Sequence, residues 1–500
     1  MKVASFSGLL VGGLGLGVVV AAGCGGGGGT GTGGSGGGTA SSTTTSSTTT
    51  VASTGVTTGT GGSVPSDGND SFDQAVGVDA AGTQATLEDP SVDVDYFTFD
   101  ATAGDIYLIS ASSHPSPSDT SAGYVDTFIE LYDSNKKLLA TNDDRYPRSN
   151  TDSEIITLLP TTGTYYVKLQ EFCISPKKDP MGCDAAYFAG LTNLDYVVGA
   201  IKIDTTQAGN VAEKEPNDTG ATASPIAFAE QATKGTYYLT VIEGKMPVSS
   251  DADWYSFTVP ANLTVSAGAR AKTSLLFPWG TTTSNGTNVK TGKVDVVDKA
   301  TMKVIGSFDM SAEPETQADR TTLSIPVTAS GDYLLKVTHG GLEADGQGDF
   351  YFLYQTLGSG NPLETAEATN NLASTPEVLT VSAGSTTTSY FVEGDIASGD
   401  VDHFKVATKA QATVSVACSA QRGGSGLRGF KATVFSGKDG TTKITEATET
   451  ATTDLFVDHF AIPAGETDLI VKMEATGTQD PVNTGTYYIC GIHMAAVPTP

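Results

Sequence analysis

The chain is poor in basic residues, in histidine and in long apolar stretches. It has 28 Lys and Arg against 56 Asp and Glu, which gives a net charge of −28. Because a phosphate backbone requires a basic binding face, this balance argues against nucleic acid as a partner. It also disfavours direct binding to anionic lipid headgroups. The excess of carboxylates suits divalent-cation sites, and a merely solvated exterior explains most of them equally well.

Motifs of the common catalytic classes are absent too. None of the five histidines begins a His-Glu-x-x-His sequence, so that zinc-peptidase signature is missing. No glycine-rich loop ends in Gly-Lys-Ser/Thr, as a phosphate-binding loop would. A Gly-x-Ser-x-Gly match at 33–37 lies in a glycine tract, without the strand and helix that a nucleophile elbow needs. The sequence therefore predicts no catalytic site.

The one apolar run of note lies at the N-terminus and reads as an export signal. Lys2 precedes an apolar stretch of small residues at 9–22, which is too short and glycine-rich to span a membrane. It ends in Ala-Ala-Gly followed by Cys24. This ending resembles the lipobox of bacterial lipoproteins, although alanine stands where leucine is commoner. The resemblance implies a lipoprotein signal peptide at 1–24 and lipidation of Cys24, with an ordinary secretory signal as the alternative.

Residues 25–65 contain little that could be buried. Glycine, then serine and threonine, dominate the segment, and such a composition predicts a disordered linker. A flexible chain of about 40 residues has an r.m.s. span of roughly 35 Å. We expect this Gly/Ser/Thr tether to hold the folded part away from a membrane reached through the lipid anchor. The expected location is the cell envelope, at the outer membrane or the cell surface.

Cys24 is the odd one of five cysteines, and the other four fit an oxidising compartment. Four cysteines allow three pairings, among which sequence alone cannot choose. Proximity favours Cys173 with Cys183 and Cys418 with Cys490, both as structural disulfides. No Cys-x-x-Cys pair is present, which argues against a metal site built of cysteine.

An aspartate-aromatic phrase recurs three times at domain-sized intervals. It reads Asp-Val-Asp-Tyr-Phe-Thr-Phe at 93–99, Asp-Ala-Asp-Trp-Tyr-Ser-Phe at 251–257 and Asp-Val-Asp-His-Phe-Lys-Val at 400–406. The intervals of 158 and 149 residues exceed the periods of solenoids and propellers. Alternating strand patterns and hairpin signals follow each phrase, and no capped helical period appears. The sequence predicts an all-β chain of three tandem sandwiches, at 66–204, 205–358 and 359–500.

Several local expectations accompany this reading. A second strand should follow each phrase, at 106–109, 263–266 and 412–416. His403 replaces the aromatic residue of the other two phrases and is expected to be an amphipathic surface residue. The basic loop 421–428 is expected to be a mobile hairpin tip, with contact to an acidic partner as the alternative.

The second copy carries a family resemblance. Its leading run Glu-Lys-Glu-Pro-Asn-Asp-Thr at 213–219, the phrase at 251–257 and Gly-Asp-Tyr at 331–333 resemble the bacterial pre-peptidase C-terminal domain. The first copy matches through the motifs at 95–97, 129–133, 142–144 and 162–166, and the third is degraded. The resemblance implies a jelly-roll-like sandwich that is usually appended to secreted peptidases and is not itself catalytic. Related collagen-binding domains hold calcium at the start of the domain.

Calcium takes six to eight oxygen ligands, and the second copy supplies a dense set of them. The candidate ligands are Glu213, Glu215, Asn217, Asp218, Asp251 and Asp253, an arrangement that resembles the calcium site of the family. The first copy offers a thinner set, which comprises Asp67, Asn69, Asp70, Asp93 and Asp95. The third offers the least, with Glu367 and the asparagines at 370–371 loosely placed. The alternative is a solvated acidic linker in which Asp253 caps a turn.

Taken together, these features predict a non-catalytic, lipid-anchored binding or adhesion protein. Several weak modules on one chain gain avidity, and an extracellular polysaccharide or protein is the expected partner. Trp279 and Tyr124 are the candidate binding aromatics, although either could belong to a core. The alternative function is an envelope structural or accessory protein that assists a separately encoded secreted hydrolase, and an unrecognised enzyme is a third reading.

Overall fold

A computed structural model describes residues 68–496, with gaps at 80–81, 115–122, 144–151, 177–182, 208, 231–234, 249, 277–285, 310–322, 343–346, 381–387, 409–411, 452 and 454. The predicted signal peptide with Cys24, the predicted linker, Asp67 and Trp279 lie outside the described residues. Within the described residues no helix is long and apolar enough to cross a membrane.

The first sandwich is built from nine strands in two sheets. The strands are β1 (Val76–Gly77), β2 (Thr83–Thr86), β3 (Val94–Ala101), β4 (Ile106–Ser112), β5 (Thr127–Tyr132), β6 (Leu138–Asn142), β7 (Ser153–Leu158), β8 (Gly163–Glu171) and β9 (Asp195–Lys202). Strand order is β1-β3-β8-β5-β6 in one sheet and β2-β9-β4-β7 in the other. The chain alternates between the sheets in the manner of a jelly roll.

The second sandwich repeats this order with two additional short strands. Its strands are β10 (Asn210–Ala212), β11 (Ser224–Pro225), β12 (Ala229–Glu230), β13 (Tyr238–Lys245), β14 (Asp253–Thr258), β15 (Ala269–Leu276), β16 (Val289–Asp298), β17 (Lys303–Asp309), β18 (Leu323–Val327), β19 (Asp332–Leu342) and β20 (Phe350–Pro362). The sheets run β11-β14-β19-β16-β17 and β10-β13-β20-β15-β18, with β12 beside β13. Strand β20 continues past residue 358, where the sequence predicted the domain to end.

The third sandwich has the topology of the first. Its strands are β21 (Glu377–Val378), β22 (Thr388–Asp395), β23 (Val401–Ala407), β24 (Ala412–Ser419), β25 (Phe430–Ser436), β26 (Lys443–Thr448), β27 (Leu455–Ala461), β28 (Asp468–Ala475) and β29 (Tyr487–Ala496). The sheets run β21-β23-β28-β25-β26 and β22-β29-β24-β27. The predicted all-β sandwich architecture is therefore confirmed.

The recurring phrase occupies the same strand in each sandwich, namely β3, β14 and β23. Each of these strands lies between a short parallel strand and a long antiparallel one. Because side chains alternate along a strand, one face of the phrase enters the core. Phe97, Tyr255 and Phe404 are buried there, as predicted.

The predictions for residues 263–266 and for His403 were wrong. Residues 263–266 form no strand, because turns closed by Leu263 N–H on the Pro260 carbonyl and by Ala269 N–H on the Ser266 carbonyl reverse the chain before β15 begins. His403 is buried and not a surface residue. Its backbone N–H and its Nδ1 both contact the carbonyl oxygen of Asn370, which covers the ring.

Both disulfides favoured by proximity are present. Cys173 bonds to Cys183 and Cys418 bonds to Cys490. The first closes a loop that holds a 3-10 turn at Phe172–Ile174, and the short helix α1 (Ala185–Gly190) follows it. The second joins directly opposed residues of β24 and β29.

The first and second sandwiches meet through an apolar interface between their sheets. Side chains from β4 and β7 pack with side chains from β13 and β20 in one buried cluster, which comprises Ile106, Leu108, Ile156, Leu239, Phe350, Phe352 and Tyr354. Glu243 of β13 lies beside this cluster, next to Ile106 and Phe352. We call it the apolar joint.

The second and third sandwiches meet through polar contacts and through Tyr487 of β29, which is buried in the core cluster of the second sandwich. Ser307 N–H donates to the Gly424 carbonyl at 2.9 Å, and Thr484 N–H donates to the Val304 carbonyl at 2.9 Å. The loop 421–428 thus packs against β17, so its expected role as a mobile hairpin tip was wrong. Three backbone N–H groups of this loop region, from residues 420–422, converge on the buried Glu449 carboxylate, which holds its shape.

Candidate metal centres

Each sandwich brings three carboxylates together where its leading segment meets the recurring phrase. Within each group, one oxygen from every residue lies within 4.8 Å of the others. We name these groups cluster 1 (Asp70, Asp93, Asp95), cluster 2 (Glu213, Glu215, Asp253) and cluster 3 (Glu364, Glu367, Asp402).

A buried aspartate paired with a buried tyrosine forms the base of each cluster. The aspartate is the second one of the recurring phrase, and its side chain is fully buried in all three sandwiches. The tyrosine hydroxyl on the closing strand donates to Oδ2 of that aspartate, in the pairs Tyr196 with Asp95, Tyr351 with Asp253 at 2.7 Å, and Tyr488 with Asp402 at 2.8 Å. This contact fixes the carboxylate and leaves Oδ1 to face the cluster. Sequence reasoning missed these tyrosines, although each is the second residue of its closing strand.

A buried asparagine attaches the leading segment to the phrase strand. The backbone carbonyl of this asparagine accepts a hydrogen bond from the backbone N–H of the residue after the second aspartate, at 2.8 to 2.9 Å. The donor and acceptor residues are Tyr96 and Asn69, Trp254 and Asn217, and His403 and Asn370. Because the same contact recurs, the acidic side chains of the leading segment reach the same point in each sandwich.

Electrostatic repulsion is strong in cluster 2. Burial, together with the neighbouring Glu215 and Asp253 carboxyls, raises the pKa of Glu213 to about 9. Burial first, and then the charges of Asp251, Glu215 and Asp218, raise the pKa of Asp253 to about 7. The fold thus brings carboxyl groups so close together that ionisation of each one disfavours ionisation of the others. A bound cation would favour the ionised carboxylates and so lower the pKa values of Glu213 and Asp253.

The amide of Asn217 points to the same conclusion. Its side-chain oxygen faces only acceptors, and exchanging amide oxygen and nitrogen would give contacts of 3.2 Å to Glu215 Oε2 and 3.3 Å to Asp253 Oδ1. With the oxygen inward, three oxygens converge, as part of the oxygen shell of a hard cation would. With the nitrogen inward, the amide would neutralise part of the repulsion instead.

All six predicted ligands of the second sandwich lie in this region. Burial, followed by the charges of Glu215 and Asp218, raises the pKa of Asp251. Asp218 and Glu215 are exposed, whereas Asn217 and Asp253 are buried. The site therefore has a buried base and a solvent-facing rim.

Cluster 1 contains three of the five residues proposed for the first sandwich. Asp70, Asp93 and Asp95 come together, and the Asn69 carbonyl supports them. Asp93 already accepts the Glu88 N–H through Oδ2 at 2.7 Å. Fewer carboxylate oxygens are consequently left for a cation than in cluster 2.

Cluster 3 was largely missed at the level of sequence. The structure adds Glu364 and Asp402 to the anticipated Glu367. Burial, followed by the charge of Asp402, raises the pKa of Glu364 to about 8, and burial raises the pKa of Asp402 to about 7. Among the described residues, Asp402 Oδ1 and Asn370 Oδ1 have no hydrogen-bond partner although both side chains are fully buried.

The donor atoms of all three clusters are carboxylate oxygens, and the side-chain oxygen of Asn217 joins them in cluster 2. Such sets fit a hard divalent cation, and calcium in particular tolerates their irregular geometry. Such an ion would order the leading segment, because it would connect that segment to the strand that carries the recurring phrase.

Tyr124 does not form an exposed aromatic platform. Its ring packs against His114 with 4.7 Å between ring centroids, and its backbone bridges to Asn193. His114 Nδ1 in turn lies 3.1 Å from Asp152 Oδ1. The ring is half-buried, so only part of it is available to a partner.

Comparisons with known proteins give one family match and several distant structural likenesses. No curated protein sequence matches the chain. The tandem CBM51 modules of a family 98 glycoside hydrolase from Streptococcus pneumoniae show 12% identity and a TM-score of 0.17, covering 52% of this chain and 84% of that one. The CUB1-EGF-CUB2 domain of human MASP-1/3 shows 10% identity and a TM-score of 0.14, covering 56% and 99%. At these TM-scores the likenesses carry no functional argument. Residues 93–171 match the family described as the bacterial pre-peptidase C-terminal domain.

Proposed function

We propose that this protein is an exported, lipid-anchored binding or adhesion protein that consists of three modules of the pre-peptidase C-terminal type. It has no catalytic role of its own, and calcium orders its modules. The observation that carries the proposal is the recurrence of one carboxylate cluster at the same place in three sandwiches of the same strand order.

The assignment of three modules extends the family match to the rest of the chain. The match itself covers residues 93–171, from the phrase of the first sandwich to the end of β8. The other two sandwiches share its strand order, its phrase strand and its buried aspartate-tyrosine pair. These shared features support a common origin for the three units.

Calcium is the proposed cofactor. The oxygen-only donor sets and the convergence of Asn217 on Glu215 and Asp253 support it. Cluster 2 should bind most tightly because it combines the largest number of acidic neighbours with a buried base. Calorimetric titration of the chain with calcium tests this, and the variant Asp253→Asn should lose the tightest site.

The proposed location is the cell envelope, with the membrane reached through Cys24. The two disulfides support an oxidising compartment. The variant Cys24→Ser should remove the lipid and release the protein from membranes into the soluble fraction. If the variant stays in the membrane fraction, the lipid anchor is refuted.

The binding role is tested by sedimentation of the fragment 66–500 with insoluble polysaccharides, fibrous proteins and envelope fragments, in calcium or in chelator. Retention on a polymer that chelator abolishes supports calcium-ordered adhesion. Retention by envelope fragments alone favours the accessory role beside a secreted hydrolase. No retention on any of these materials would refute the adhesion function.

A further inference from the structure

The second sandwich is open along one edge, next to the short strand β11. A groove of about 310 Å³ lies there and is lined by residues of both sheets. Three aromatic side chains, from Phe228, Tyr238 and Phe257, form its apolar walls together with two prolines. Phe257 belongs to the phrase strand β14. We call this site the edge groove.

In the other two sandwiches a tyrosine closes the corresponding position. Tyr107 packs on Phe99 with 4.8 Å between ring centroids, and its hydroxyl donates to the carbonyl oxygen of Asp100 at 3.1 Å. In the third sandwich the hydroxyl of Tyr390 donates to the carbonyl oxygen of Ala407 at 3.0 Å. Asp100 and Ala407 are the residues that directly follow the recurring phrase. The two tyrosines, from different strands, therefore cap the same backbone carbonyl.

Register along the closing strand identifies the equivalent residues of the second sandwich. Tyr107 and Thr273 oppose the same position of that strand, and so do Tyr390 and Thr240. Both threonines are fully buried. The hydroxyl oxygen of Thr240 has no hydrogen-bond partner among the described residues. A small side chain thus stands wherever another sandwich has the tyrosine, which leaves the space beside the phrase strand unfilled.

The tyrosine that lines the edge groove does not replace the missing one. The hydroxyl of Tyr238 donates to Glu230 Oε1 at 3.1 Å. The residue after the phrase is Thr258, which also lines the groove. Among the residues that the structure describes, no side-chain hydroxyl donates to the Thr258 carbonyl. The groove therefore retains the acceptor that a tyrosine caps in the other two sandwiches.

The backbone of Thr258 faces the side of β14 on which β11 lies. Successive residues of an antiparallel pair turn their N–H and carbonyl groups to alternate sides. Val259 N–H donates to the Gly331 carbonyl on the β19 side, whereas the Ser256 carbonyl accepts the Ile226 N–H on the β11 side. Thr258 follows Ser256 by two positions and so presents its carbonyl to the β11 side. Because β11 has already ended there, this carbonyl is open to a ligand in the groove.

These features define the chemistry of a ligand. Apolar walls favour a ring, and a carbonyl acceptor requires that the ring carry a donor, as a phenol does. Lys299 is the one charged residue in the lining. Its side chain is exposed and forms no ion pair within the described part of the chain. An amine at the rim favours a carboxylate next to the ring.

We propose that the edge groove binds a tyrosine side chain of a partner polypeptide, with a carboxylate of that partner beside Lys299. The ring would pack on Phe257 as Tyr107 packs on Phe99, and its hydroxyl would donate to the Thr258 carbonyl. Of the two partner classes considered above, only a protein carries this ring, since an unmodified polysaccharide has no phenol. The proposal rests on the binding role of the proposed function, and it requires neither the lipid anchor nor calcium.

The test titrates three small probes into the full-length protein and follows them by ligand-observed NMR. The probes are N-acetyl-tyrosine, N-acetyl-phenylalanine and N-acetyl-tyrosinamide. We expect the dissociation constant of the phenylalanine probe to exceed that of N-acetyl-tyrosine by about fivefold, because it cannot donate to the carbonyl. The amide, which lacks the carboxylate, should bind about twofold more weakly than N-acetyl-tyrosine.

Substitutions locate the binding in the edge groove. Thr240→Tyr restores a tyrosine at the position of Tyr390 and should abolish binding, whereas Thr240→Val removes the hydroxyl without filling the space and should retain it. Lys299→Ala serves where Thr240→Tyr fails to fold. It should equalise the acid and amide probes and preserve the discrimination against phenylalanine. The exposed Lys303→Ala is its control and should leave all three affinities unchanged.

The outcomes separate this inference from the proposed function. Equal affinity for the tyrosine and phenylalanine probes, or no binding of either, would overturn the inference. So would full binding by a folded Thr240→Tyr variant. Retention of the protein on fibrous material without any discrimination between the probes would overturn the inference alone. Absence of retention on every material would refute the adhesion role, while the probe titration would still report on the groove.

Discussion

At the scale of single residues, the fully buried aspartates are the feature that most needs explanation. Asp95, Asp253 and Asp402 each lie in a sandwich interior next to other carboxylates. Isolated buried charge is strongly unfavourable, so these residues tie the stability of each sandwich to whatever neutralises them. The tyrosine partner supplies only one hydrogen bond toward that end.

Replacing one of these aspartates should have opposite effects in two buffers. Asp253→Asn removes a cation ligand, so in calcium at 100 times the dissociation constant the free energy of unfolding should fall by about 3 kcal/mol. In chelator the same change removes a repelling charge, and stability should stay constant or rise. Urea denaturation in both buffers measures this. The exposed Asp332→Asn is the control and should shift both curves equally.

A buried carboxyl outside the three clusters, Glu171, should give the protein a measurable pH dependence. It accepts the Asp126 N–H at 2.9 Å and the Tyr187 hydroxyl at 2.8 Å. Burial raises its pKa from 4.5 to about 7, against the opposing effect of these hydrogen bonds. The folded state therefore keeps this proton over a pH range in which the unfolded state has lost it. Its stabilising contribution is present below pH 4.5 and is lost as the pH rises toward 7.

Glu171→Gln should remove that slope. Between pH 4.5 and 7 the wild type should lose up to about 3 kcal/mol of unfolding free energy relative to the variant. Urea denaturation of both proteins at half-unit pH steps gives the difference directly. Parallel stability curves would contradict the assignment.

The residues of cluster 3 show why part of the candidate site could not be predicted. Glu213 precedes Asn217 by four positions, but Glu364 precedes the corresponding Asn370 by six. The extra residues break the spacing on which sequence comparison depends, and only the shared Asn carbonyl contact reveals the equivalence. The tyrosine partners lie 86 to 101 residues from their aspartates, too far apart in the chain for a local pattern to connect them.

At the scale of the strand, the sites depend on how closely neighbouring strands approach. On β13, a side chain at Gly244 would lie 2.2 Å from Tyr351 Cζ and 2.3 Å from its hydroxyl. The glycine at position 394 plays the same part beside Tyr488 in the third sandwich. A larger residue would displace the tyrosine that holds the aspartate.

Gly244→Ala should accordingly destabilise the second sandwich by about 1–3 kcal/mol, the usual cost of overpacking, and weaken calcium binding. Gly77→Ala on β1 is a suitable control, since an added side chain there meets nothing within 4 Å. Chemical denaturation and calcium titration of both variants test the prediction. Equal effects of the two substitutions would show that close approach to the tyrosine is not the cause.

Strand patterns could be predicted well where one face was buried and poorly where both were. The phrase strands alternate, and their core residues were recognised in advance. Strand β20 begins Phe-Tyr-Phe-Leu-Tyr, a continuous apolar run that is typical of a strand covered on both sides. That signal could have revealed the apolar joint, but the sequence offers no indication of which surface covers the second face.

At the scale of the whole molecule, the three sandwiches are held together by two different kinds of contact. Apolar side chains join the first two, whereas ion pairs and backbone hydrogen bonds, together with the buried Tyr487, join the last two. Ion pairs are weakened by ionic screening, which does not act on apolar burial. Solution conditions should therefore act on one joint selectively.

Adjacent residues of β20 allow the apolar joint to be tested separately from the core. Phe352 belongs to the joint and Leu353 to the core of the second sandwich. Phe352→Ala should remove about 3–5 kcal/mol of joint energy and split the calorimetric melting of the first two sandwiches into separate transitions. Leu353→Ala should instead lower the melting temperature of the second sandwich alone. Splitting by both variants, or by neither, would contradict this division of roles.

The apolar joint also limits how the molecule can be dissected. A protein fragment that begins at residue 205 would present Leu239, Phe352 and Tyr354 to water, because the sheet that covers them belongs to the segment removed. Exposed patches of this kind cause self-association. Binding measured on the second sandwich alone would therefore be confounded by aggregation.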